Sequence, residues 1–202
     1  MRRIAGWLLL SWAMVAGAAE PPRQVGQVQG VPVYADQITG DTAQARAESA
    51  AAVFMSPIIK QWAARHADAA RPTREERAQV ESAISAYSAC SGNGYTLPAQ
   101  PEQREQVVTM LTANVKLQRR LHDEYGGGRL LFQQAGIEAF DATRKLLEAR
   151  EAEGAFSFSD PGTRTLAYDY WTRDHGAFMI TDPDKIAKAL DVTSMIARCP
   201  AT

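Results

Sequence analysis

Apolar positions recur along most of this chain at the three-and-four spacing of a helix face, and one short stretch alternates like a strand. Ile58, Ile59, Trp62, Ala63 and His66 share one helix face, and Val80, Ile84 and Tyr87 share another. Val107, Met110, Asn114, Leu117 and Leu121, widened by Val108, Leu111 and Val115, mark a long helix over Glu102–Tyr125 that belongs in the core. Ile137–Glu153 repeats the pattern with Phe140, Leu146 and Leu147 inward and Lys145, Glu148, Arg150 and Glu151 outward. Thr163–Arg173 and Asp184–Ala197 complete the helical set, and the alanine-rich Thr42–Ala52 is helical by propensity.

Breakers and caps divide these helices. Thr73-Arg74-Glu75-Glu76 has the form of a capping box. Gly92-Asn93-Gly94, the Pro98–Pro101 loop and Gly126-Gly127-Gly128 stop helices, and Phe156, Phe158 and Pro161 mark a turn. At Pro57, either Ser56 caps a new helix or one long helix kinks. The alternating stretch is Val28–Tyr34, where Pro32 forbids a central strand and an edge strand fits. Arg129–Phe132 is a short strand or an extended connector. No internal repeat or linker is visible. The expectation is an all-α fold: a single compact domain over 20–202, of five or six helices, with a short N-terminal extended segment.

The first nineteen residues stand apart. Arg2 and Arg3 precede sixteen uncharged residues, Ile4–Ala19, which end in small side chains before Glu20-Pro21-Pro22. That run is shorter than a membrane span and has the layout of a cleaved secretory signal, cut after Ala18 or Ala19. The other reading is an uncleaved anchor. No cysteine follows the run, so a lipid anchor is not indicated. The expected location is periplasmic or secreted, with no stable membrane insertion after cleavage.

Composition and charge narrow the function. Across 202 residues, 46% are hydrophobic, 22% charged and only 8% aromatic. These values exclude disorder and multi-pass membrane proteins, and the alanine content favours close-packed helices. With 22 basic and 23 acidic groups, the net charge is −1; without Arg2 and Arg3 it is −3. No nucleic-acid partner is expected. Export makes Cys90 and Cys199, the two cysteines, candidates for a disulfide closing a long loop, against the alternative of two independent buried thiols.

The run Val28-Gln29-Gly30-Val31-Pro32-Val33-Tyr34-Ala35-Asp36 resembles the entry strand of the helical N-terminal chaperone domain of periplasmic parvulin-type foldases, the SurA class. Ile58-Ile59-Lys60-Gln61-Trp62-Ala63 followed by Pro72-Thr73-Arg74-Glu75-Glu76 is similar to that family's step between two helices. The resemblance spans about Val28–Glu81. It implies a chaperone-like or peptide-binding helical domain whose partner is unfolded polypeptide or an envelope protein, and it implies no catalytic residue. Gln29 stands where the family has Asn, and no stretch remains for the isomerase domain. Gly126–Arg144 resembles a block of secreted bacterial proteins and implies no function.

The candidate chemistry gathers late in the chain. Tyr168-Asp169-Tyr170-Trp171-Thr172-Arg173-Asp174-His175 places aromatic, acidic and basic side chains within eight positions. Such a set lines a ligand groove with Asp174 or His175 as general base, or packs Tyr168 and Trp171 inward with Asp169 and Arg173 as an exposed pair. Phe132, Gln133, Tyr168, Tyr170, Trp171 and His175 are the candidate ligand or peptide contacts, and Gln134 beside them is another backbone hydrogen-bonding group. His66, His122 and His175 have no metal-ligand spacing, so no metal or cofactor is expected. Gly126–Arg129 follows a helix rather than a strand, unlike a phosphate loop. The expected function is an exported chaperone-like or peptide-binding module without isomerase activity. The alternatives are a periplasmic enzyme using Asp169, Asp174 and His175, or an accessory protein of a cell-envelope system.

Overall fold

The computed structural model describes residues 22–91, 96–133 and 136–192, with the side chains of 87–91 and 133 outside the description. The N-terminal nineteen residues, the Gly92–Gly94 breaker, the Cys90 side chain and Cys199 therefore lie outside the described residues. Gln24–Val28 (β1) and Val31–Tyr34 (β2) pair antiparallel around the turn Gln29-Gly30. Four helices follow: α1 (Ala43–Phe54), α2 (Ser56–Arg65), the single turn α3 (Ala67–Ala70) and α4 (Arg74–Ser91). The long α5 (Pro101–Glu124) leads to a second hairpin, β3 (Leu130–Gln133) and β4 (Gly136–Glu138). Then come α6 (Phe140–Ala152), β5 (Phe156–Phe158), α7 (Pro161–Thr172), β6 (Met179–Ile180) and α8 (Pro183–Ala189).

Local chemistry sets the helix boundaries. The capping box opens α4: Thr73 Oγ1 accepts from the Glu76 N–H at 3.1 Å, and the Thr73 N–H donates to Glu76 Oε2 at 2.7 Å. At Pro57 the chain makes two helices, with Met55 between them and Pro57 in the first turn of α2. Asp160 and Asp182 each stand just before a proline and cap α7 and α8, accepting from Thr163 N at 2.8 Å and Lys185 N at 3.0 Å.

The sheets correct the all-α expectation. The fold is mixed α/β, with two three-stranded antiparallel sheets ordered β2-β1-β5 and β4-β3-β6. The strands have two to five residues, too few to display alternation. Leu130 and Leu131 are both buried, so β3 presents a continuous apolar run. Ile137-Glu138-Ala139 continues the helical spacing of α6, yet pairing with β3 holds the first two in β4 and the helix starts only at Phe140. Phe156 and Phe158, expected in a turn, pair with Val28 and Gly26. The partner strands lie far apart along the chain, and no local pattern announces such a pairing.

The two sheets are built alike, a repeat that the spacing of apolar residues along the chain does not show. Each consists of a hairpin whose first strand takes a third, antiparallel strand on its other side, and each third strand runs straight into an Asp-Pro helix start. Phe156-Ser157-Phe158-Ser159-Asp160-Pro161 corresponds to Phe178-Met179-Ile180-Thr181-Asp182-Pro183. The registers agree: Phe158 pairs with Gly26 in one sheet and Ile180 with Leu130 in the other. On the hairpins, Gly30-Val31-Pro32-Val33-Tyr34 corresponds to Gly136-Ile137-Glu138-Ala139-Phe140.

The largest core cluster joins β1, β2, β3, β5, α1, α2, α6 and α7 through Val25, Phe54, Ile58, Leu131, Phe140, Leu147, Phe156 and Trp171. At its centre β1 passes so close to β5 that a Cβ at Gly26 would overlap the Ser157 carbonyl oxygen and the Phe54 ring. A second cluster gathers Trp62, Leu121, Leu130, Leu146 and Leu190, and a third joins Val80 and Ile84 of α4 to Val108 of α5.

Candidate functional site

The late aromatic cluster is fastened at almost every polar atom. Tyr168 and Trp171 lie three apart on α7 and point into the core, each 5% exposed. The Tyr168 hydroxyl donates to Glu151 Oε2 at 2.8 Å, and Arg164 clamps the same carboxylate at 2.8 and 3.0 Å. Burial, reinforced by the Glu151 carboxylate, pushes the Tyr168 hydroxyl well above the usual phenol range. The Tyr170 hydroxyl donates to Glu138 Oε2 at 2.5 Å. His175 packs against the Phe140 and Tyr170 rings, and its Nε2 lies 2.9 Å from the Tyr170 carbonyl oxygen.

The two candidate carboxylates have their own partners. Asp169 pairs with Arg173 at 3.7 Å across one helical turn, and Asp174 Oδ1 accepts from the Gly176 N–H at 2.9 Å. Asp169, Asp174 and His175 therefore turn to three different neighbours instead of converging on a point where a substrate atom would sit. Phe132 stands apart from the cluster, exposed on β3. The side chain of Gln133 and the whole of Gln134 lie outside the described residues.

The concave surface lies elsewhere. A cleft of about 740 Å³ runs between the end of α5, the Gly126–Arg129 loop and α8. Pro183, Ile186, Ala187 and Leu190 form its apolar side, while Arg119, His122, Asp123, Arg129, Asp141 and Asp191 supply charge of both signs. A second cleft of about 310 Å³ shares Arg119, Asp123 and Asp191 with the first and continues between α3, α4 and α5, past Lys116 and Glu76. These two are joined by a hydrogen-bonded ion pair at 2.9 Å.

The loop wall of the larger cleft is rigid for identifiable reasons. Arg129 binds Asp141 through its Nε and Nη2 and its own backbone N–H, at 2.8–2.9 Å. Burial alone would push the Asp141 carboxyl up, but the Arg129 hydrogen bonds and charge hold it below the ordinary carboxylate range. Gly128 has φ 112°, and a Cβ there would lie 2.5 Å from the Asp141 Cβ, so only glycine lets the loop reach this carboxylate. The Gly127 N–H donates to the His122 carbonyl at 2.7 Å, and Lys145 Nζ donates to the Gly126 carbonyl at 3.1 Å.

His66 stacks on Trp62 with 4.5 Å between ring centres and lies 3.4 Å from Glu124. His122 lines the larger cleft, 3.8 Å from Asp123. Among the described residues no group of three or more His, Cys, Asp or Glu side chains is placed to hold a metal ion. Sequence reading missed the cleft. The signal available was the Ile186–Leu190 spacing of four on a helix start that also carries the Asp182-Pro183 cap. What could not be seen was that α8 comes back against the end of α5. Comparison of the chain with models of protein families, with curated proteins and with solved structures finds no match.

Proposed function

We propose that this protein is an exported, chaperone-like module that binds polypeptide without catalysing its isomerisation. The observation that carries the reading is the cleft beside α8. It sets an apolar strip of Pro183, Ile186, Ala187 and Leu190 against a wall of paired charges of both signs. Apolar side chains seat on such a strip, and the backbone amides and mixed charges of a polypeptide meet donors and acceptors on the facing wall. A strongly anionic or cationic ligand has no comparable complement there, because each arginine faces a carboxylate, Arg129 meeting Asp141 at 2.9 Å and Arg119 meeting Asp123 at 4.0 Å.

Two sequence features support the same reading: the secretory character of the first nineteen residues and the resemblance of Val28–Glu81 to the chaperone domain of SurA-class foldases. The enzymatic alternative gains nothing from the geometry, since Asp169, Asp174 and His175 are held by Arg173, Gly176 and Tyr170. No observation favours the accessory-protein alternative.

The test is aggregation of a denatured outer-membrane β-barrel protein, followed by light scattering on dilution from urea. The mature chain should slow the rise in scattering at equimolar ratio. An unchanged trace at several-fold excess rules the proposal out.

A further inference from the structure

Both sheet units have a cavity at the start of their Asp-Pro helix. In the second unit it is the cleft beside α8, to which Arg129, Asp141 and Ala187 contribute. In the first it is a cavity of about 440 Å³ beside α7, to which Val25, Ala35 and Thr165 contribute at the same three places. The equivalence follows from the registers. Gly26 and Leu130 stand opposite matching positions of the third strands, which aligns Val25 with Arg129. Tyr34 aligns with Phe140 on the hairpins and Asp160 with Asp182 at the caps, so Ala35 aligns with Asp141 and Thr165 with Ala187.

The chemistry at these places differs. The second unit closes its hairpin side with the Arg129–Asp141 ion pair at 2.9 Å. The first has Val25 and Ala35 there, and Ile38 and Leu166 extend them into an apolar floor. Charge lies at the rim, on Arg23, Arg46 and Asp160. Asp160 is already held: it accepts from the Thr163 N–H and hydroxyl at 2.8 and 2.7 Å and meets Arg23 at 3.1 Å. Arg46 is exposed on α1, and its side chain has no hydrogen bond or ion pair among the described residues. No carboxylate stands one helical turn from it, because Thr42, Ala43, Ser49 and Ala50 occupy those positions. An apolar floor beside an uncompensated guanidinium complements an apolar group that carries a carboxylate.

We infer that this cavity receives the carboxyl-terminal residue of a polypeptide, with its apolar side chain on Val25, Ala35, Ile38 and Leu166 and its terminal carboxylate against Arg46. In a chain terminus the carboxylate and the last side chain spring from one Cα, so a cavity of this volume holds both. An internal acidic residue brings its charge on a separate side chain and has to lead the chain in and out again. The planar guanidinium matches the two oxygens of the terminal carboxylate. The inference rests on the polypeptide-binding reading and gives the end of the bound chain a site of its own, since Arg46 does not line the cleft beside α8.

The probe is the peptide Gly-Ser-Gly-Ser-Leu, labelled with fluorescein at its N-terminus and prepared both as the free acid and as the C-terminal amide. Binding is read by fluorescence anisotropy. The protein should bind the acid about ten-fold or more tightly than the amide, the worth of one charge-assisted pair. Arg46→Gln, at an exposed position, should keep the wild-type melting temperature and bind acid and amide alike. Serine in place of the peptide's terminal leucine should also weaken binding of the acid, because the floor then meets no apolar group. Any of four results overturns the inference: no binding of the acid, equal binding of acid and amide, a preference that survives in Arg46→Gln, or indifference to the terminal leucine. Octanoate pairs a carboxylate with an apolar chain and no peptide. If it displaces the probe at a lower concentration than unlabelled peptide does, a free fatty acid is the occupant and the inference falls. The polypeptide-binding reading is judged separately by the aggregation assay, because the cleft that carries it does not include Arg46.

Discussion

Gly26 occupies a position where any side chain collides with backbone. The Ser157 carbonyl oxygen lies where a Cβ would stand, and the Phe54 ring closes the other side at 2.7 Å. A carbonyl held in a strand ladder has nowhere to retreat, so Gly26→Ala should destabilise the protein by about 2–3 kcal/mol, read from the urea midpoint. Asp141 tests a charge. Its carboxyl is held below the ordinary range when folded, so its contribution is complete above about pH 5 and disappears as pH falls through 4 towards the folded value. Asp141→Asn should therefore be clearly less stable than wild type at pH 7, and the gap should narrow steadily as the pH falls below the ordinary carboxylate range. A gap that stays constant with pH would mean the carboxylate charge is not what holds the loop. At this scale the sequence is most informative where partners are close neighbours. Thr73 and Glu76, or Asp169 and Arg173, meet because helix geometry brings them together. Arg129 and Asp141, twelve positions apart, meet only because a glycine loop and a hairpin intervene.

Helices and strands differ in how much of themselves they write into the chain. The long helix α5 and the proline break before α2 are visible in the chain, although α5 buries Val108, Thr112, Val115 and Leu121 and leaves Met110, expected on the inner face, exposed. β4 is three residues long, and its Ile137 and Glu138 read equally well as the first turn of α6. Its strand identity comes from pairing with β3, a tertiary decision that overrides local propensity. The α8 element shows the same limit for function. Its apolar face is readable, whereas the cleft it makes with the end of α5 is not. Ala187 is exposed and lines that cleft, so Ala187→Trp should fill it while leaving the fold intact. The expected outcome is an unchanged melting temperature with a loss of protection in the aggregation assay. Full retention of protection would move polypeptide binding away from the cleft.

At the scale of the molecule, the sheets bind distant segments together, and a Cys90–Cys199 bond would be a further link of that kind. Val192, near the end of the described chain, packs beside Val80, Ile84 and Val108, which brings the C-terminal portion to α4, the helix whose sequence includes Cys90. If the bond forms, the intact mass of the protein should be two hydrogens lower without reductant than with it; equal masses exclude the Cys90–Cys199 bond. The repeated sheet architecture escaped the sequence for a reason of the same scale. The shared residues are few, and the two copies are interleaved, with the second hairpin lying between the first hairpin and its third strand.

That interleaving governs how the chain can become folded. The first hairpin has to wait for Phe156–Phe158, roughly 130 positions downstream, before its inner strand has neighbours on both sides. By then the second hairpin has already been made and is itself waiting for Met179–Ile180. Neither sheet closes early, and a cut between β4 and β5 leaves both hairpins on one piece and both third strands on the other. Folding therefore runs through slow, long-range closure late in synthesis, and loss of either third strand should dismantle the molecule as a unit rather than release an intact half.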